Sequence, residues 1–134
     1  MFLKHNFFAL LWALLILILC AIPGHDIPYV SFLELLNFDK LVHASLFFVL
    51  AFLLIRGFQL QHTFALLHKF PGLMATVLCI LYGAVLEILQ GLLFIERSAD
   101  IYDFIANAFG SIMGFALFNK LAIFVVKYFK IKMF

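Results

Sequence analysis

Charge is scarce in this chain. Only 12% of its 134 residues are Asp, Glu, Lys or Arg, while 67% are hydrophobic and the mean hydropathy is +1.19. A soluble domain of this length cannot hide so much apolar surface. Other signals are missing too. Strict period-two alternation is absent, which excludes the strands of a membrane barrel. No H-E-x-x-H and no paired-cysteine spacing occurs, so nothing in the pattern calls for a metal or another cofactor. Asp39 and His43 with Glu87 or Asp103 would offer hard ligands, but few histidines lie near them. Ser45 and Ser111 lack a nucleophile elbow. There is no internal repeat and no low-complexity linker. The net charge of +2 gives no case for nucleic acid.

What is present is oil in four runs. They predict an all-α integral membrane four-helix bundle, a single domain over residues 1–134, with spans at about 5–22, 40–58, 73–95 and 102–126. The first run stops at Pro23-Gly24. It is read as a retained span rather than a cleaved signal peptide, because no small-residue cleavage site follows it. Cys20 and Cys79 fall at opposite depths at the helical rise, so they read as buried small hydrophobes and not as a bridge. Loop one holds a Ser31-Phe32-Leu33-Glu34 capping box, which predicts a short interfacial helix. His25, His62 and His68 read as loop or surface histidines.

The few charges are sorted by side. Lys4, Arg56, Lys69, Lys120, Lys127, Lys130 and Lys132 fall on the side of both termini and the second loop. All seven acidic residues, Asp26, Glu34, Asp39, Glu87, Glu96, Asp100 and Asp103, fall toward the other side. Short cytoplasmic loops collect Lys and Arg, so both termini are expected to be cytoplasmic. The basic tail would meet anionic lipid headgroups.

Several polar residues share helix faces near the acidic side. Gly83, Glu87 and Gln90 share one face of the third span, as Asp103, Asn107, Gly110 and Gly114 do on the fourth. Gly110 and Gly114 form G-x-x-x-G, which lets helices approach closely in lipid. With Gly83 they read as packing positions, and close approach would press the polar faces of the third and fourth spans together. Glu87 lies roughly 12 Å below the outer end of its helix and Asn107 roughly 9 Å. A lone carboxylate at that depth needs a proton or a partner. Gln90, Asn107, Arg97, Lys40 and His43 are the candidates. Asp39 and His43 form a third wall at the start of the second span, with Lys40 beside them. Asp39 and Asp100 also fit helix N-caps. Arg97 serves either as an interfacial anchor or as a fork for a carboxylate or phosphate.

In order, Asp39-Lys40-x-x-His43, Glu87-x-x-Gln90, Arg97 and Asp103-x-x-x-Asn107-x-x-Gly110-x-x-x-Gly114 resemble the VanZ-like family of small bacterial membrane proteins. The resemblance covers residues 39–114. One departure is Ile95-Glu96, where the family often has a proline before the arginine. The resemblance implies a multi-pass protein of the bacterial inner membrane, and a link to glycopeptide (teicoplanin) resistance or envelope homeostasis.

Three functions compete at this stage. In the first, Asp39, Lys40, His43, Glu87, Gln90, Arg97, Asp103 and Asn107 line an outward polar pocket for a lipid-linked or cell-wall ligand. In the second, the chain is an enzyme on a lipid-linked substrate. His43, steered by Asp39, would then be the general base and buried, protonated Glu87 the general acid, with Asp103 a further catalytic candidate. In the third, the 19 phenylalanines meet partner helices, either of a larger membrane complex or of a second copy. A proton-coupled transporter fits less well, since only Thr76 and Tyr82 continue a polar path through the inner half of the third span.

Overall fold

The computed structural model describes residues 1–23, 38–94 and 98–129. Among them are five helices and no strand: α1 (Phe2–Ala21), α2 (Phe38–Leu60), α3 (Ala65–Lys69), α4 (Pro71–Leu92) and α5 (Ile101–Phe129). All but α3 are long and apolar enough to cross a bilayer. The capping-box helix expected at residues 31–34 lies outside the described residues.

Two of the helix ends have a clear local cause. Ile22 leaves helical geometry at ψ 126°, and Pro23 follows it. A residue before proline is pushed toward extended backbone by the ring. Pro71 opens α4 at a position where its missing N–H costs nothing. Between α2 and α3, buried Gln61 acts as a clip. Its amide donates to the Phe64 carbonyl at 3.0 Å, and its oxygen accepts the Phe64 N–H at 2.8 Å. Backbone groups of Phe64, the residue that caps the start of α3, are thereby satisfied without water.

Helix α2 is the hub and packs on α1, α4 and most extensively on α5. The contact with α5 is made by the two glycines. A Cβ on Gly110 would run into the backbone carbonyl of Ala44, and one on Gly114 would lie 2.8 Å from the Phe48 carbonyl oxygen. The G-x-x-x-G face therefore seats α5 on α2, whereas periodicity alone had aimed it at α4. The reason is the partner surface: Ala44 and Ala51 leave α2 flat there. Gly83 takes a different neighbour, with its Cβ position 3.2 Å from that of Asn107.

Two apolar clusters fill the bundle. Ile16, Phe47, Leu50 and Leu86 centre one, and Ile55, Phe58, Phe118 and Ala122 the other. Cys20 and Cys79 are buried and form no disulfide with each other. Trp12 donates to the Leu46 carbonyl at 2.9 Å and Tyr82 to the Ala13 carbonyl at 2.6 Å, tying α1 to α2 and α4. Away from the core, Phe7, Leu11, Leu81, Ile88, Ile105, Phe109, Ile112 and Ile123 point outward. Water would penalise such a surface, whereas hydrocarbon does not. The chain is a multi-pass membrane protein.

Candidate functional site

The polar residues gather at the end of the bundle where α2 and α5 begin and α4 finishes. Asp39, Lys40 and His43 come from the first two turns of α2. Asp39 stands inside the first turn rather than ahead of it, and it faces Lys40 and His43. Glu87 and Gln90 come from the last turns of α4. Asp103 and Asn107 come from the start of α5. The tight α2–α5 seam at Gly110 brings the first and third groups together.

Lys40 is the charged centre. Its Nζ binds Asp100 Oδ2 at 2.6 Å, makes a short ion pair with Asp103 Oδ1, and lies 3.6 Å from Asp39 Oδ2. Three carboxylates thus share one ammonium. Below them, His43 Nδ1 meets Asn107 Oδ1 at 3.0 Å. An amide oxygen only accepts, so Nδ1 donates to it. Nε2 points back toward Asp39 Oδ1 at 3.8 Å and Asp103 Oδ2 at 3.7 Å. Both separations exceed hydrogen-bonding distance.

Asp100 does two jobs. Oδ1 accepts the Tyr102 N–H at 2.8 Å, which caps α5, while Oδ2 takes Lys40. The Lys40 ammonium first, then the Tyr102 N–H, holds the Asp100 carboxyl below its usual range. Its own backbone N–H donates to Glu87 Oε2 at 3.0 Å. That bond exists because the chain before α5 folds onto α4, where the Cβ position of Gly91 is 3.2 Å from that of Ala99. From the sequence, Asp100 is a cap with an acid three residues later; its contact with Lys40 has no local signature.

Other expected partnerships are redistributed. Glu87 reaches neither Gln90 nor Asn107 by hydrogen bond. Gln90 turns to α1 and donates to the Cys20 carbonyl at 3.3 Å. Glu87 Oε1, Gln90 Oε1 and Asn107 Nδ2 are buried and have no hydrogen-bond partner among the described residues. The cluster draws on α2, α4 and α5, with Gln90 at its edge. Arg97 lies outside the described residues.

The cluster has a floor and a rim. The side chains of His43 and Asp103 are 7% and 12% exposed, against 64% for Asp39 and 37% for Asp100. Beside the rim, Glu87, Asp100, Ala84, Ile88, Ile101 and Phe104 line an open, largely apolar cleft of about 410 Å³. Asp39, His43 and Asp103 each offer one ligand atom, all within 4.8 Å of one another.

No curated protein and no solved structure gives a significant match to the chain. A family model does match, over residues 4–125, and its description is VanZ/LLP1.

Proposed function

The chain belongs to the VanZ/LLP1 family, and on that premise we propose that it is a protein of the bacterial inner membrane and cell envelope whose polar cluster opens outward to bind a lipid-linked or cell-wall ligand. Glycopeptide (teicoplanin) tolerance is the expected phenotype. One observation carries the reading: Lys40, His43, Glu87, Asp100, Asp103 and Asn107 converge at one end of an otherwise apolar bundle. Buried ionisable groups in a membrane protein are costly and are kept where they bind or relay something. The excess of carboxylates over ammonium favours ligand amines, hydroxyls or a cation. Lys40 is already engaged by three acids, so an anionic ligand group falls to Arg97.

The test replaces Glu87 by Gln, Arg97 by Gln and Asp103 by Asn, singly and together. Tolerance to teicoplanin and binding of lipid-linked cell-wall precursor are measured at matched expression. Each single change is expected to lower both. Full retention by the triple variant sinks the reading.

A membrane-embedded enzyme on a lipid-linked substrate is the second reading. It is favoured by the orientation of His43, whose Nδ1 is held by Asn107 while Nε2 faces Asp39. Asn107, rather than the Asp39 expected from the sequence, would then steer His43 as the general base, with Glu87 as the acid. Comparing lipids of membranes with and without the protein decides it, since an unchanged profile and no turnover argue against catalysis.

A further inference from the structure

We propose that Asp39, His43 and Asp103 bind a divalent transition-metal ion at the floor of the cluster. The inference rests on reading this cluster as a ligand site, and it names the ligand. Asp39 and Asp103 each turn one oxygen to Lys40 and the other to His43 Nε2. With the imidazole neutral, as a metal ligand must be, three lone-pair atoms face one another: Asp39 Oδ1, Asp103 Oδ2 and His43 Nε2. No donor lies between them among the described residues. Three acceptors turned inward repel, unless something positive sits at their centre.

The buried imidazole is the independent observation. The His43 side chain is 7% exposed; Nδ1 is hydrogen-bonded to Asn107, and among the described residues Nε2 faces only the Asp39 and Asp103 carboxylates, at 3.8 and 3.7 Å. A ring fixed at one nitrogen by an amide and presenting the other to two carboxylates is how a protein prepares a histidine ligand. Metal–nitrogen and metal–oxygen bonds near ~2.1 Å put ligand atoms roughly 3–3.5 Å apart. The separations from Nε2 are 3.7 and 3.8 Å, and all three atoms lie within 4.8 Å of one another. The set is therefore slightly wider than a loaded site, and Asp39, at the exposed rim, is the ligand that moves in. Charge fits as well. Asp39, Asp100 and Asp103 face Lys40 alone among the described cations, leaving a formal excess of two negative charges that a divalent ion cancels. One imidazole with two carboxylates suits Mn²⁺ or Zn²⁺ better than an all-oxygen ion such as Mg²⁺.

The experiment uses the full chain purified in detergent, stripped with chelator and titrated with Mn²⁺ and Zn²⁺, with Mg²⁺ for comparison. Stoichiometric binding of Mn²⁺ or Zn²⁺, with Mg²⁺ much weaker, is expected. Pulsed electron paramagnetic resonance of the Mn²⁺-loaded native chain is expected to show one directly bound imidazole nitrogen. Asp39→Asn, the exposed and structurally mildest change, is expected to weaken binding at least about tenfold, and His43→Gln to abolish the nitrogen signal. Asn107→Leu, one step from the ion, is expected to lower affinity about 10–100-fold. His62→Ala is the control and stays unchanged. Absence of stoichiometric binding, absence of nitrogen coupling in the native chain, or full affinity in Asp39→Asn and His43→Gln each overturn the proposal. If no ion binds but Glu87→Gln still loses glycopeptide tolerance, the metal fails and the ligand-site reading stands.

Discussion

At the scale of single residues, Glu87 and Asp100 divide the work between function and stability. Glu87 has one oxygen on the Asp100 N–H and the other buried without a partner among the described residues. A group kept for folding alone would be better satisfied, because an unpaired buried polar atom costs about 1–3 kcal/mol. Glu87→Gln keeps an acceptor for the Asp100 N–H and removes the titratable carboxyl beside Asp103. Thermal unfolding in detergent is expected at an unchanged or higher temperature, together with lost tolerance. A fall of many degrees would mark Glu87 as structural instead. Asp100 is the opposite case. Its pairing with Lys40 and the Tyr102 N–H lowers its folded pKa, so its contribution is complete above the ordinary carboxylate value of about 3.9 and is lost as pH falls through the folded value. Asp100→Asn is therefore expected to lower the unfolding temperature at neutral pH and to leave a shallower acid limb in a stability profile below about pH 4. At 37% exposure the effect is small.

At the scale of helices, the site depends on the α2–α5 seam. Gly110 lies against the backbone of Ala44, one position past His43. A side chain there forces the helices apart and separates Lys40 from Asp103. Gly110→Leu is expected to cost about 1–3 kcal/mol or more and to abolish ligand and metal binding together. Gly83→Ala, whose added carbon would meet Asn107 and Phe47 at 3.2–3.3 Å, is expected to be far milder. Unfolding in mixed detergent, run on both variants, ranks them; equal losses would contradict this packing. Periodicity showed that Gly110 and Gly114 share a face. It did not say which helix that face meets, because several helices compete for any small-residue stripe in a bundle. Gln90 illustrates the same limit. Its face was legible, but its bond to the Cys20 carbonyl depends on where α1 leans.

At the scale of the whole molecule, the arrangement of charge sets the orientation. Cysteine introduced at Glu34 is expected to react with an impermeant maleimide on intact spheroplasts, and cysteine at Lys127 only after the membrane is opened. Labelling in the reverse order would put the polar cluster on the cytoplasmic side and remove its access to cell-wall ligands.

The sequence by itself determined the class, the four spans and the short set of polar residues worth attention. It could do so because hydrocarbon imposes a rule readable one residue at a time: apolar runs span, and a polar group within them needs a reason. Only the tertiary structure decided the partnerships. Lys40 with Asp100 and Asp103, His43 with Asn107, and Glu87 with a backbone N–H all join one helix to another or to the chain just before α5. Those contacts are fixed by how close α5 comes to α2 and by the fold of the chain onto Gly91. Both are distances between elements, and no spacing along a single helix encodes them.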